Sequence, residues 1–186
     1  MEYDDYEIID GKKIIISSKS LRHNAIKGRL IVSIGKHLDE TDSGYFFSNV
    51  YLRLNDKNIF IPDFVVITKK NEYIIDWRGD IYGAPDMVVE VLSKSTWRRD
   101  LTIKKDTYEA NGVREYWIID PYMKLISVYL LRDGKFEFDD EYILYDAAEF
   151  EKLTDAEKAE VKDEIPVKIL DGLKIPLKFI FKWGYK

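Results

Sequence analysis

The chain has 186 residues, 46% of them hydrophobic and 34% charged. That is the size and make-up of one folded domain with its own core, and it excludes a disordered chain. With no cysteine and only two histidines, His23 and His37, disulfide frameworks, thiolate metal sites, thiol nucleophiles and multi-histidine metal centres are all excluded, and a reducing, cytoplasmic setting is expected. The formal charge of −5 argues on its own against nucleic acid as a partner. No apolar run approaches the ~20 residues of a membrane span, and the acidic start, Met1–Asp10, is unlike a signal peptide, so no membrane partner is expected.

The total hides a segregation. Residues 11–38 carry seven bases and no acid, whereas residues 137–164 carry twelve acids against Lys152, Lys158 and Lys162. The −5 therefore describes an acidic flank more than it describes the rest of the chain, and local potential is the better guide to partners.

In chain order, Tyr6–Ile9 and Lys12–Ser17 read as two strands about the Asp10-Gly11 turn. Ser18 or Ser20 caps a helix to about Leu38, whose Ile26, Leu30, Ile34 and Leu38 form one apolar stripe. Asp39–Gly44 reads as loop, Tyr45–Leu54 as a strand ending at the Asn55–Asn58 turn, and Ile59–Ile67 as a strand buried on both faces. A mixed connection, 68–84, leads to a strand Met87–Leu92. A helix from about Trp97 to Asn111 follows, stopped by Gly112. Glu115–Ile119 is a strand, Leu125–Leu131 and Lys135–Phe138 flank the hairpin turn Asp133-Gly134, and Tyr142–Tyr145 extends the sheet. Thr154 and Glu157 form a capping box for a short charged helix to about Asp163, read as part of a surface insertion at about 146–164 in a single domain spanning 1–186. Val167–Leu170 and Ile175–Phe181 close the chain. The order of elements predicts an α/β sandwich around a mixed sheet.

Two acids sit where apolar residues are expected. Asp63 interrupts Ile59–Ile67, and Glu90 interrupts Met87–Leu92, sharing a strand face with Asp86 and Val88. An unpaired buried carboxylate costs several kcal/mol, so each needs a cation, a metal ion or good hydrogen bonding, and a strand-end structural role answers equally well. If the two strands are neighbours the carboxylates meet, and oxygen donors of this kind suit Mg²⁺ or Mn²⁺. Asp86, at the start of its strand, reads as structural. The next helix brings Arg98, Arg99, Lys104 and Lys105 within eight residues. Leu101 and Tyr108 mark one of its faces, and spacing does not say which of Lys104 and Lys105 points to the sheet. Tyr116, Trp117 and Trp97 are candidate base-stacking platforms, although such aromatics more often serve a core. His23 and His37 need no role beyond a helix surface.

The combination Pro62-Asp63, Gly83-Ala84-Pro85-Asp86-Met87-Val88-Val89-Glu90-Val91-Leu92-Ser93, Arg99-Asp100-Leu101 with Lys104 and Tyr108, Gly112-Val113, Glu115-Tyr116-Trp117 and Asp120-Pro121 resembles the Uma family of "putative restriction endonucleases", within the PD-(D/E)XK nuclease superfamily. The resemblance runs from Glu7-Ile8-Ile9-Asp10-Gly11 to Ile180-Phe181. It implies a restriction-endonuclease-like core, a central mixed sheet flanked by helices, with Asp63 and Glu90 as the acids of the first and second motifs. The superfamily lysine expected two residues after Glu90 is replaced by Leu92, and the resemblance assigns that role to Lys104, with Lys105 as the fallback. Glu7 matches a family acid and is an accessory candidate, alongside Asp86.

The function expected on this basis is Mg²⁺- or Mn²⁺-dependent hydrolysis of DNA phosphodiester bonds. Asp63, Glu90 and the Val91 carbonyl would hold the metal, Lys104 would serve as catalytic cation, Arg98 and Arg99 would bind substrate, and a homodimer would suit double-strand cleavage. The alternatives are a non-catalytic binding or assembly module on the same fold, and a phosphodiesterase for another nucleotide, which an acidic protein tolerates more easily.

Overall fold

The computed structural model describes residues 6–16, 19–93 and 97–182. Its frame is a six-stranded mixed sheet in the order β11-β10-β9-β8-β6-β3. These strands are β3 (Gly44–Phe47), β6 (Phe64–Thr68), β8 (Met87–Val91), β9 (Glu115–Asp120), β10 (Leu125–Arg132) and β11 (Lys135–Ile143). Only β8 and β9 run parallel, because only they are joined by a helical crossover; the other neighbours are antiparallel. A second, five-stranded sheet has the order β2-β1-β5-β4-β7, from β1 (Tyr6–Ile9), β2 (Lys12–Ile15), β4 (Leu52–Asn55), β5 (Asn58–Phe60) and β7 (Ile81–Tyr82).

One face of the central sheet is covered by α1 (Leu21–Thr41). The Ser20 hydroxyl accepts from the His23 N–H and caps its start, and Ile26, Leu30, Ile34 and Leu38 are buried against Met87, Val89, Val91 and Trp117. Ser18, the alternative cap, lies outside the described residues. On the opposite face Val65, Ile67, Val88, Tyr116 and Ile118 pack with residues of the five-stranded sheet and with Tyr108. Tyr108 belongs to a helical run made of α2 (Trp97–Arg99), a π-helical turn (Asp100–Lys104) and α3 (Lys105–Asn111), ended by Gly112 at φ 90°. The mixed sheet flanked by helices is therefore present, with one flank shared between α3 and a second sheet.

Several boundaries differ from the sequence reading. The helix continues through Asp39 to Thr41, and β3 already begins at Gly44, where an added Cβ would stand 2.3 Å from the Ile67 carbonyl oxygen. Tyr45–Leu54 is not one strand but β3 and β4, in different sheets. Ile59–Ile67 is likewise β5 and β6, joined by Ile61-Pro62-Asp63, where the chain crosses between sheets. Both halves are apolar because both sheets line the same core, so periodicity carries no sign of the break. Tyr142 and Ile143 end β11 rather than forming a separate strand, since a bulge at Val128/Tyr129 keeps the long hairpin in register.

The stretch from Asp146 holds α4 (Ala147–Phe150), not expected from sequence, and α5 (Asp155–Glu160), shorter than expected. Each is opened by a capping box and neither buries a residue. The last apolar stretch divides into β13 (Lys174–Pro176), paired with β12 (Glu164–Pro166), and α6 (Leu177–Ile180). Among the described residues no helix is long and apolar enough to cross a membrane.

This C-terminal segment is fastened to the sheet by Glu115. Its fully buried carboxylate accepts from the Trp117 indole at 2.7 Å and from the Lys168 and Ile169 amides at 3.2 and 2.8 Å, while burial still raises its pKa. Glu115→Ala would strand one buried and two partly buried donors and is expected to lower stability by about 3 kcal/mol. Glu115→Gln, which keeps a carbonyl acceptor, should lose less. Urea unfolding checks both, and equal midpoints for Glu115→Ala and wild type would refute this role.

Candidate active site

The crossing from β5 to β6 sets Asp63 at the threshold of the central sheet, not inside a strand. β6 and β8 pair with Phe64 opposite Val89, and continuing that register by one residue puts Asp63 beside Glu90. The Asp63 Oδ2 accepts from the Val91 N–H at 2.8 Å. Its Oδ1 lies 2.7 Å from His23 Nε2, in the first turn of α1, and 3.7 Å from Lys19 Nζ. Burial pushes the Asp63 carboxyl up. The His23 hydrogen bond, the Lys19 charge and the Val91 amide outweigh it and hold the group below its ordinary value.

Glu90 Oε1 accepts from Lys104 Nζ at 2.9 Å and from the Tyr108 hydroxyl at 2.7 Å. The same ammonium is 2.7 Å from Glu7 Oε1 and 3.5 Å from Asp100 Oδ1. Glu7 arrives from β1, where its Oε1 also accepts from the Ile61 N–H at 3.0 Å, tying the cluster to the chain crossing. Glu7, His23, Asp63, Glu90, Asp100 and Lys104 are each no more than 2% exposed.

Four carboxyl groups thus surround one lysine and one histidine in a dry setting. Burial, aided by the charges of Asp100, Asp63 and Glu7 and opposed by Lys104, pushes Glu90 up to about 8. Burial would lower Lys104, but Glu90, Glu7 and Asp100 outweigh it and hold its pKa well above the ordinary lysine value, so it stays an ammonium.

Of the two lysines that spacing left open, Lys104 faces the sheet. Lys105 Nζ instead sits 3.9 Å from the Tyr129 ring centroid and is not brought to the site. Asp86, at the far end of β8, accepts from the Thr68 N–H and hydroxyl at 2.7 and 2.9 Å and from Arg114 at 3.0 Å. It latches β6, β8 and the start of β9 and does not join the cluster. Arg98 is exposed and Arg99 half-buried, both on α2. Tyr116 and Trp117 are fully buried, which removes them as stacking platforms, whereas Trp97 is 46% exposed.

Sequence reasoning missed His23, Asp100, Tyr108 and Lys19. It also grouped Tyr108 on one helix face with Leu101 and left the inward-facing lysine open. Leu101 is partly exposed, and the buried stripe is Asp100, Lys104 and Tyr108. Their i, i+4, i+8 spacing is the signal that could have found them. An apolar search overlooks it because the stripe is polar, and it is buried by mutual ion pairing. His23 carried only its place in a first helical turn.

Asp63, Glu90 and the Val91 carbonyl offer oxygen donors only, in a cluster richer in negative than in positive charge, which fits a hard divalent cation. Among the described residues no three His, Asp or Glu side chains form a ready-made cage. That is no misfit for Mg²⁺, which is commonly held by one or two carboxylates, with water and substrate phosphate completing its shell.

Comparison with known proteins bears on the same arrangement. No curated protein matches the chain. The fold is similar to that of the crystal structure of a putative nuclease belonging to DUF820 from Anabaena variabilis, with a TM-score of 0.72 and 21% identity over 96% of this chain and 90% of that one. Residues 2–164, a stretch that includes Glu7, Asp63, Glu90 and Lys104, match the family Uma2, described as "Putative restriction endonuclease". A nuclease-like fold and a sequence match over most of its length lead to one assignment: the chain belongs to the Uma2 family of putative restriction endonucleases.

Proposed function

We propose that the protein is an endonuclease that hydrolyses DNA phosphodiester bonds with the help of Mg²⁺ or Mn²⁺. The observation that carries this reading is the side-by-side placement of Asp63 and Glu90 at paired strand ends, with Lys104 bonded to Glu90. Asp63, Glu90 and the Val91 carbonyl would hold the metal, which when bound supplies Lewis-acid polarisation of the phosphate and a more acidic water.

The chain's own residues have distinct tasks. His23 and the Val91 amide orient Asp63 and keep it ionised. Tyr108 and Lys104 fix the Glu90 carboxyl, whose proton is retained near neutrality until more positive charge arrives. Lys104, permanently charged, offsets the negative charge that grows on the phosphate as water attacks phosphorus and the bond to the leaving oxygen breaks. Glu7 and Asp100 hold that ammonium in place. Lys19 and Arg22 at the start of α1, with Arg98 and Arg99 on α2, supply positive charge for the DNA backbone, and binding should weaken with salt at about −0.9 in log–log slope per phosphate neutralised. A homodimer would present two such sites to two strands.

Nicking of supercoiled plasmid tests the reading. Wild type should nick with Mg²⁺ or Mn²⁺ and stop with chelator, and Asp63→Asn should be slower by at least about 10²-fold. Nicking that survives chelation, or an Asp63→Asn variant as fast as wild type, would sink the assignment.

A further inference from the structure

Beyond the acid cluster, a cleft of about 500 Å³ opens past the end of β8, lined by Leu92, Ser93, Trp97, Leu101, Asp120, Pro121 and Tyr122. We propose that it is a nucleobase pocket, which holds one unstacked base of the strand being cut beside the scissile phosphate. The inference rests on the nuclease reading and adds to it a second binding site.

Its walls suit that occupant. Leu92, Leu101 and Pro121 are aliphatic, and Trp97 and Tyr122 are rings left 46% and 57% exposed. A flat aromatic base with one face against such rings gains about 1–3 kcal/mol from stacking. The turn that carries Tyr122 is held open by the chain itself, since Asp120 Oδ1 accepts from the Tyr122 and Met123 N–H groups at 2.8 and 2.9 Å. The wall is therefore preformed and needs little ordering on binding.

The position is also right. Leu92 directly follows Val91, whose amide holds Asp63, and lies two residues beyond Glu90. At about 3.3 Å per strand residue, the cleft begins roughly 7 Å from Glu90, about two of the ~3.4 Å steps of a DNA strand. A phosphate at the acid cluster thus leaves a neighbouring base within reach of the cleft.

The charge around the cleft decides between a nucleic acid and a second copy of the chain. The Arg22 guanidinium stands 5.4 Å from the Tyr122 ring centroid and that of Arg98 stands 5.4 Å from the Trp97 ring centroid. A two-fold dimer through this patch would gather both copies of Arg22 and Arg98 into one interface. A polyanion instead finds phosphate partners at the rim and apolar faces within. Because the walls are mostly apolar and the Asp120 carboxylate is engaged by the Tyr122 and Met123 amides, the pocket takes the face of a base rather than reading its edge, and it should tolerate sequence.

The test uses the full chain and single-stranded oligonucleotides carrying one 2-aminopurine, whose fluorescence falls on stacking, in chelator so that cleavage does not enter. Wild type should quench the probe, and Trp97→Ala/Tyr122→Ala should bind it about 10- to 100-fold more weakly. The salt slope should be unchanged, and a fully abasic strand of the same length should bind both proteins equally. Both side chains are exposed, and circular dichroism checks that the variant is folded. Equal affinity for the probe, equal loss on the abasic strand, or loss of a wild-type dimer with oligonucleotide binding intact would overturn the pocket. The two readings fail separately. Stacking without any metal-dependent cleavage removes the nuclease and leaves the pocket, and cleavage without stacking does the reverse.

Discussion

Glu90→Gln is expected to slow metal-dependent plasmid nicking by about 10²–10³-fold or more while the protein remains folded. The amide keeps a carbonyl oxygen for Lys104 and Tyr108, so the packing around Oε1 survives. What disappears is the negative charge at the position where the metal would be held. The same substitution has a second signature, in stability. Burial first, then Asp100, Asp63 and Glu7, hold Glu90 at about 8 in the folded protein against an ordinary value of 4.5. Between those limits the folded state keeps a proton that the unfolded chain has released. This group's contribution is fully present below about pH 4.5, and stability falls as pH rises to about 8, by up to about 1.4 kcal/mol per unit. Glu90→Gln removes that slope. Urea midpoints of the two proteins should therefore be close at pH 5 and separate towards pH 8, with the variant the better off at the alkaline end. Undiminished nicking would refute the catalytic part, and an unchanged pH slope would refute the buried-acid part.

Lys104→Met should give the largest loss of stability of any single change in the cluster. It leaves Glu7, Glu90 and Asp100 buried without their shared cation, and breaking a buried pair in this way typically costs about 3–5 kcal/mol. For a chain of this length that is a fall in melting temperature of roughly 10 °C. The sign of the pH dependence follows from the directions of the shifts. The folded-state pKa of Lys104 lies above its unfolded value, so its stabilisation is fully present below the unfolded lysine pKa and is lost only as pH rises through the folded one. It does not titrate between pH 5 and 8. Glu90, which burial already pushes up to about 8, does, and its protonation removes the uncompensated charge it would otherwise carry. The deficit should therefore be larger at pH 8 than at pH 5, and nicking should be lost at both. A variant that melts within 2 °C of wild type, or whose deficit is the same at both pH values, would contradict the ion-cluster account.

The acids at the centre of both predictions were legible in sequence for a reason that does not depend on the fold. Asp63 and Glu90 each sit among apolar residues, and a buried carboxylate demands compensation wherever it is. The α1 stripe of Ile26, Leu30, Ile34 and Leu38, the Gly112 stop and the hairpin at Asp133-Gly134 were legible too, because each is a local pattern with a local cause. The identity of the compensating groups was not. Lys104 and Lys105 are adjacent, and only the docking of the helical run on the sheet sends the first to Glu90 and the second to Tyr129. His23 is forty residues from Asp63 and meets it only because α1 packs across the strand that Asp63 precedes.

The chain by itself determined that this is an α/β protein with two misplaced acids and no cysteine ligands, since composition, capping and apolar periodicity act over a few residues. Only the tertiary structure decided where the apolar runs break. Ile59–Ile67 is continuous in hydrophobicity yet divides at Ile61-Pro62-Asp63 between two sheets, because both halves bury the same kind of surface and differ only in their partners. The same holds for the acid cluster. Its members come from β1, the β5–β6 crossing, β8 and the helical turn Asp100–Lys104, and their mutual charges are felt only once long-range packing has removed the water between them.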